Sequence, residues 1–119
     1  MKLVINNCYG GVSLSREAVL LARSLTDDPV WGEVYIKGDS WPDGVIVDYD
    51  YGYIHDLIER HDPILVQVVE QLGSEKASGA CAKLVVEEIS KGTCYRIEEY
   101  DGKERIETID YPHGWKVAT

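Results

Sequence analysis

The sequence predicts an α+β domain, in which two helices pack on a mostly antiparallel or mixed β-sheet that ends in a β-hairpin. Two segments place apolar residues at helical spacing, several short segments are rich in β-branched residues, and their chain order is β-α-β-β-α-β-β-β. A length of 119 residues suits one hydrophobic core, so residues 1–119 are expected to form a single domain.

The first strand and the first helix are predicted from residues 2–7 and from the segment that follows Ser15. The strand is apolar until it ends in Asn6 and Asn7, and a tight loop connects it to the helix. Ser15 is a favourable N-cap, because its hydroxyl can accept a hydrogen bond from a free N–H of the first turn. Residues 27–29, Asp-Asp-Pro, end this helix. Its apolar residues at helical spacing are Ala18, Val19, Leu21, Ala22 and Leu25.

The second helix is marked at both of its ends. Asp62 is the predicted N-cap, Pro63 suits the first helical position, and Gly73 follows the last apolar residue as a C-terminal stop. Residues 33–37 and 45–49, which precede this helix, are predicted to be short strands around a turn-rich segment. The apolar face of the helix consists of Ile64, Leu65, Val68, Val69 and Leu72.

A strand over residues 82–89 and a hairpin over residues 93–109 complete the predicted fold. Asp101 and Gly102 suit the two central positions of a type I′ turn, in which both residues have positive φ. The resulting register places opposite charges across the strands on one face and mainly apolar residues on the other. The pairs are Tyr100 with Lys103, Glu98 with Arg105, Arg96 with Glu107, Ile97 with Ile106, and Tyr95 with Thr108.

The charge balance disfavours some partners. Twenty-one Asp and Glu against 12 Lys and Arg give a net charge of −9, which repels phosphate backbones, so no nucleic-acid polymer is expected as a partner. No apolar run approaches the roughly 18 residues of a membrane span, and the first residues lack the features of a signal peptide. The sequence therefore predicts a soluble cytoplasmic protein without a membrane partner.

No motif for catalysis, metal binding or cofactor binding occurs in the sequence. The three cysteines lack C-x-x-C spacing, and their odd number argues against a disulfide framework. His55, His61 and His113 lack H-E-x-x-H spacing, and surface histidines are the favoured interpretation. The signatures of α/β-hydrolases, P-loop proteins and dinucleotide-binding folds do not occur. We therefore expect no catalytic residue, no cofactor and no metal.

The loop after the first strand is the strongest candidate for a binding site. Two amides, Asn6 and Asn7, are followed by Cys8, Tyr9 and two glycines, and a helix begins shortly afterwards. Glycines allow backbone N–H groups to approach a ligand, and a helix N-terminus favours anions. The alternative is a plain strand–turn–helix connection, in which the glycines only supply positive φ.

Three blocks of sequence resemble a family of small phage-encoded proteins. The blocks are INNCYGGVSLSREAV, ERHDPILVQVVEQLGSEKASG, and AKLVVEEI followed by IEEYDGKERIE. They are similar to the INNC-aromatic-GG-x-x-LS opening, the RDDP-type helix start and the closing EEYDG hairpin of Thoeris anti-defence proteins of the first type. The resemblance covers residues 1–25 and 58–109. It implies a sponge that binds and hides the cyclised ADP-ribose signal made by bacterial TIR enzymes.

A sponge for such a ligand needs groups that neutralise a pyrophosphate and an aromatic surface that stacks on a base, and it needs no nucleophile. Arg60, beside the positive end of the second helix, is the first candidate cation, with an ion pair to Glu59 or Asp62 as the alternative. Lys91, at the end of the strand over residues 82–89, matches a family position that could lie in the binding pocket. The predicted ligand-binding residues are Asn7, Tyr9, Gly10, Gly11, Arg60, Cys81, Lys91, Tyr95 and Arg105.

The chain departs from the family pattern at several positions. Cys81 stands where an aromatic residue is expected before the AKL strand, and Val12 replaces an aromatic residue after the two glycines. Residues 90–91 are Ser-Lys instead of Pro-Asp or a similar pair, and residues 26–57 align with nothing in the family. If an aromatic residue stacks on the base in relatives, this chain binds the ligand differently or binds another cyclic nucleotide.

Two other functions stay open. The protein could instead be an acidic antagonist that occludes a host defence enzyme, or an enzyme that cleaves a cyclic nucleotide with His55, or with His61 and Asp62, as acid and base. A homo-oligomer is also expected, because three tryptophans lie in irregular segments where they could line a pocket or a subunit interface. They are Trp31, Trp41 and Trp115.

Overall fold

A computed structural model describes residues 1–109 and 116–118. His113, predicted as a surface histidine, and Trp115, predicted to line a pocket or a subunit interface, lie outside these residues. The α+β class is confirmed, because three α-helices accompany two antiparallel sheets in the described residues. The one expected sheet is thus divided into a two-stranded and a three-stranded sheet. The elements are β1 (Lys2–Asn6), α1 (Arg16–Leu25), a 3-10 helix (Pro29–Glu33), α2 (Pro63–Leu72), α3 (Ser74–Ala77), β2 (Leu84–Glu88), β3 (Cys94–Tyr100), β4 (Lys103–Ile109) and β5 (Lys116–Val117).

The first strand, β1, lies between the helices and the hairpin, and it is buried on both faces. Val4 belongs to the main core, which α1, α2 and β2 share, whereas Leu3 packs with Tyr95 of β3 and with Ala118. Successive side chains of a strand point to opposite faces, so a strand buried on both sides needs a continuous apolar run. The pairing of β1 with β2 is antiparallel and runs from Lys2 opposite Glu88 to Asn6 opposite Leu84.

The two predicted helices and their N-caps are confirmed. The Ser15 hydroxyl accepts the Ala18 N–H at 3.1 Å, and the Asp62 carboxylate accepts the N–H groups of Ile64 and Leu65 at 2.8 and 3.2 Å. The short helix α3 follows α2 directly after Gly73. No helix in the described part of the chain is long and apolar enough to span a membrane. The buried side chains are Ala18, Val19 and Ala22 in α1 and Leu65, Val66, Val68 and Val69 in α2, whereas Leu25 is exposed.

The hairpin of β3 and β4 forms in the predicted register. Asp101 and Gly102 have φ values of 50° and 90°, as a type I′ turn requires. β5 pairs with the other edge of β3, so the sheet order is β4-β3-β5. The hairpin turn therefore lies at the end of two long neighbouring strands, which fixes its position relative to the rest of the sheet.

The two strands predicted at residues 33–37 and 45–49 do not form, and this prediction is wrong. The backbone forms an isolated antiparallel bridge between Ser40 and Ile46 instead of a strand pair. Side chains satisfy N–H groups before it: Asp39 accepts the Ile36 N–H at 3.0 Å, and Asp50 accepts the Lys37 N–H at 2.9 Å. Asp39 is also bound by the guanidinium of Arg23 at 2.7 and 3.1 Å, and this contact lowers the pKa of Asp39. The apolar pattern of this segment reflects burial of an irregular chain.

Candidate ligand-binding site

The loop after β1 is held in place by Asn6, which is fully buried. Its Nδ2 donates hydrogen bonds to the carbonyl oxygens of Cys8, Gly10 and Gly102 at 3.0 to 3.1 Å. Its Oδ1 accepts the Lys83 N–H at 2.9 Å. A buried amide needs such partners, and these bonds tie the loop to the hairpin turn and to the segment before β2. The loop is therefore shaped before any ligand binds.

The glycines of this loop are required by close contacts between backbone segments. The Gly10 N–H donates to the Asp101 carbonyl oxygen at 2.7 Å, and a Cβ at Gly102 would overlap the backbone of Gly10. Gly10 has a φ of 125°, and a Cβ there would lie 2.7 Å from the Cys81 carbonyl oxygen. Gly10 and Gly102 thus have a packing role in addition to any role toward a ligand.

A cavity of about 410 Å³ opens beside the loop, and we call it the Gly10 cavity. This volume is within the range of small-molecule sites. A larger and more open groove of about 630 Å³ lies between Met1 and α2, but none of the predicted ligand-binding residues lines it. The Gly10 cavity is lined by the backbone of Gly10, Gly11 and Gly102, by Val12, Tyr53 and Ile97, and by the ionisable His55, Arg60, Glu99 and Glu104.

Gly11 and Tyr53 set the width of the Gly10 cavity. A Cβ at Gly11 would collide with the Tyr53 ring, so a larger residue at position 11 narrows the cavity. Tyr53 is 47% exposed, which leaves part of its ring accessible for stacking. Among the described residues, none accepts a hydrogen bond from the Gly11 N–H. This N–H is therefore a donor that a ligand can use.

Arg60 lines the cavity, but its guanidinium is already bound to a carboxylate. Both of its Nη atoms contact Glu104 of β4, one of them at 2.7 Å from Oε2, and the two side chains are only 13% and 7% exposed. The Asn6 N–H donates to the same carboxylate at 2.8 Å. The alternative ion pair with Glu59 or Asp62 is wrong, because the partner of Arg60 comes from the hairpin.

The cavity carries more negative than positive charge. Glu99 and Glu104 lie opposite each other in the hairpin and both line the cavity, whereas Arg60 is the one guanidinium among its lining residues. The Glu99 carboxylate also accepts the Gly102 N–H at 2.6 Å. A pyrophosphate deep in the cavity would be repelled by these carboxylates, whereas hydroxyl and amino groups can donate hydrogen bonds to them.

Three further predicted residues border the loop without lining the cavity. Asn7 is exposed, and its backbone N–H donates to the Lys83 carbonyl oxygen at 2.7 Å. Tyr9 is 59% exposed and packs edge-on against Tyr100, with 6.4 Å between the ring centres. Cys81 is an exposed free thiol that lies directly beside Gly10. These three residues therefore lie in or beside the loop after β1, but they do not line the Gly10 cavity.

Tyr95 and Lys91 do not line the Gly10 cavity. Tyr95 is 3% exposed and packs in the small core between the two sheets, where its edge borders a neighbouring pocket of about 300 Å³ that Arg60 also lines. Burial raises the pKa of its hydroxyl, and the carboxylate of Glu59 raises it further. Lys91 follows β2 at the end where Glu88 pairs, whereas the loop after Asn6 lies at the other end of that sheet.

Arg105 lies on the opposite face of the hairpin from the cavity. Side chains of β4 alternate between the two faces, and Glu104 is the one that faces the cavity. Arg105 is exposed and contacts Glu107 at 2.5 Å, although its register partner is Glu98, as predicted. Its predicted ion-pair partner is therefore wrong, and the structure does not place its guanidinium with the other candidate residues.

The residues considered for catalysis are dispersed. His55 lines the cavity and is exposed, with its Nε2 3.4 Å from the Asp56 carboxylate. His61 is exposed and outside the cavity wall, and Asp62 uses its carboxylate to cap α2. Within residues 1–109 and 116–118, no three His, Cys, Asp or Glu side chains come close enough together to hold a metal ion.

Sequence analysis missed Tyr53, Glu99 and Glu104 as cavity residues. The hairpin register contained a signal for the two carboxylates, because it places Glu99 opposite Glu104 on the face that is otherwise apolar. This face packs toward the interior and is expected to be apolar, so two acidic residues on it are an exception. Such exceptions indicate functional or strained positions. Tyr53 had no such signal, since it belongs to the segment that the sequence left unassigned.

Comparison of this chain with protein-family models, with curated proteins and with solved structures finds no match. Function is therefore inferred from the residues of the chain and from the geometry of the Gly10 cavity.

Proposed function

We propose that this protein binds a small cyclic nucleotide signal, such as a cyclic ADP-ribose isomer, in the Gly10 cavity and releases it unchanged. The observation that carries the proposal is the convergence of the adjacent Gly10 and Gly11 with Arg60, which is distant from them in sequence, on one cavity of about 410 Å³. The resemblance of the same segments to phage-encoded sponges indicates the ligand class. Such a protein would act in the host cytoplasm by withholding the signal from its receptor.

The chemistry of the cavity favours one orientation of this ligand. Tyr53 provides an aromatic ring for the base, and the Glu99 carboxylate can accept hydrogen bonds from ribose hydroxyls. The exposed Gly11 N–H can donate to a phosphate oxygen at the cavity mouth. Because Glu104 already neutralises Arg60, we place the phosphates at this mouth and the sugar and base further inside.

A depletion and release experiment tests the proposal. The purified protein is incubated with the cyclic product of a TIR enzyme, removed by filtration, and then heat-denatured, and each fraction is analysed by mass spectrometry. A sponge lowers the free signal and returns it intact after denaturation. A fragment of the nucleotide would instead identify a cleaving enzyme, and an undiminished signal in the filtrate would contradict binding.

A glycine pair provides a matched test of the location. Gly11→Ala adds one methyl group against the Tyr53 ring and narrows the cavity, so we expect binding to weaken about tenfold or more. Gly32→Ala is the control, because a Cβ at Gly32 meets nothing within 4 Å and lies outside the cavity. Calorimetric titration with the purified nucleotide measures both variants. Equal affinity of Gly11→Ala and wild type would place the site elsewhere.

A further inference from the structure

A second surface of this protein is both aromatic and acidic. Five rings form a continuous series, with 4.4 to 5.7 Å between neighbouring ring centres. We call this series the aromatic surface. It lies in the segment between α1 and α2 and is separate in sequence from the loop after β1. Of its rings, only Tyr53 also lines the Gly10 cavity. Its residues are Tyr35, Trp41, Tyr49, Tyr51 and Tyr53.

Nearly all the net charge of the protein belongs to the same segment. Residues 26–57 contain eight Asp and Glu but one Lys, which gives −7 out of a total of −9. Asp48 and Asp50 alternate with Tyr49 and Tyr51 along the chain, and both carboxylates are exposed. The remaining residues of the chain are close to neutral together. The net negative charge is thus concentrated in the segment that carries the aromatic surface. Of its carboxylates, Asp39 is paired with Arg23, and Arg16 lies in one pocket with Asp50 and Tyr51.

The aromatic surface is exposed but well organised. Tyr49 is 52% exposed, and the neighbouring Val45 and Ile46 are 58% and 61% exposed. The backbone beneath the rings is fixed, because the Tyr51 and Gly52 N–H groups donate to the Tyr35 carbonyl oxygen at 3.2 and 2.8 Å. A rigid surface of exposed aromatic and aliphatic groups loses little entropy on binding, and such patches are typical of interaction sites.

The Tyr49 hydroxyl at this surface stays protonated at neutral pH. A hydrogen bond with Tyr51, burial and the Asp48 carboxylate together raise the pKa of Tyr49 to about 12. The negative charge here therefore comes from carboxylates next to neutral rings, and this combination attracts cations that can also lie flat on an aromatic face.

We propose that the aromatic surface is a docking site for an arginine-rich segment of another protein. A guanidinium group is planar, stacks on Tyr and Trp rings and forms paired hydrogen bonds with carboxylates, and the surface offers both partners side by side. A second copy of this chain carries the same −7 segment and is repelled from it. Nucleic-acid phosphates are repelled for the same reason.

Synthetic peptides test this docking site in the intact protein. Calorimetric titration compares a peptide of alternating Arg and Gly with a peptide of alternating Lys and Gly, which has the same charge and length. Tighter binding of the Arg peptide, by about fivefold or more, is expected because Lys lacks the planar group that stacks. Equal affinities would reduce the interaction to attraction by net charge and overturn the proposal.

Two matched pairs of variants locate the contact. Asp48→Asn/Asp50→Asn and Glu87→Gln/Glu88→Gln remove the same charge, but the second pair lies on β2. We expect the first to weaken binding of the Arg peptide about tenfold and the second less than twofold. Tyr49→Ala should remove the preference for Arg over Lys, whereas Tyr100→Ala, a more exposed tyrosine on the hairpin, should retain it.

Folding and self-association are checked in the same samples. All four variants should keep the wild-type circular dichroism spectrum and melting temperature within a few degrees, since their side chains are exposed. Equal losses for the two charge pairs would contradict the proposal. Sedimentation velocity measures the oligomeric state of the free protein. A dimer that Tyr49→Ala abolishes would also contradict the proposal, because a second copy of the chain would then occupy the aromatic surface.

Discussion

Replacing Arg60 with methionine removes the guanidinium that neutralises the buried carboxylate of Glu104. Methionine keeps much of the volume of the arginine stem, so the perturbation is mainly the loss of charge and hydrogen bonds. Glu104 keeps one partner, the Asn6 N–H at 2.8 Å, but loses both contacts from the guanidinium. The same carboxylate holds the loop and the hairpin together, so the effect should reach the Gly10 cavity.

The expected magnitude follows from the burial of the pair. The two side chains are 13% and 7% exposed, which makes solvent screening weak. Breaking a buried ion pair by removal of one partner costs about 3–5 kcal/mol, and we expect the lower value because one hydrogen bond to Glu104 remains. For a chain of 119 residues, about 3 kcal/mol lowers the melting temperature by roughly 12 °C.

Urea and thermal denaturation of four proteins measure this effect. They are the wild type, Arg60→Met, Glu104→Gln and the double variant. Glutamine still accepts the Asn6 N–H but carries no charge, so the double variant should be more stable than Arg60→Met alone by about 1 kcal/mol or more. If Arg60→Met melts within about 2 °C of the wild type, the buried pair does not hold the hairpin to the loop.

Other predictions concern the contacts that shape the site. Gly102→Val should destabilise the protein by more than about 2 kcal/mol, because it places a Cβ against the backbone of Gly10 at a φ of 90°; an unchanged melting temperature would contradict the hairpin contact. Asn6→Ala should cost about 2–3 kcal/mol in urea denaturation, whereas Asn7→Ala, at an exposed position, should cost less than about 0.5 kcal/mol. The pKa of Asp39 is lowered by Arg23, so its contribution is present above the ordinary Asp pKa of about 3.9 and is lost as the pH falls through the lower folded-state value. The stability difference between wild type and Asp39→Asn should therefore shrink as the pH falls below about 3.9, and a constant difference would refute this linkage.

Local elements of the fold could be predicted from the sequence because their causes are local. The N-cap of α2 depends on Asp62 and on N–H groups two and three residues later. The hairpin register depends on the two residues of its turn, whose positive φ values only a few residue types adopt easily. The loop that became the candidate site was likewise recognised from its adjacent amides and glycines.

The segment between α1 and α2 was predicted poorly for an equally physical reason. Its alternating apolar residues suggested strands, but strands need a partner for their N–H and C=O groups. Here the backbone pairs as an isolated bridge between Ser40 and Ile46, whereas Asp39 and Asp50 accept the Ile36 and Lys37 N–H groups. Arg23 holds Asp39 from another element. A pattern of burial therefore indicated which side chains face the interior without indicating how the backbone is bonded.

The sequence by itself determined the α+β class, the caps, the hairpin register and the position of the glycine loop, because these depend on residues within a few positions of one another. Only the tertiary structure decided that Arg60 pairs with Glu104 and that Asn6 rather than Asn7 organises the loop. These contacts join residues 44 or more positions apart. A side chain's partner at that distance is fixed by how the sheets and helices pack, and the charge pattern along the chain carries no record of that packing.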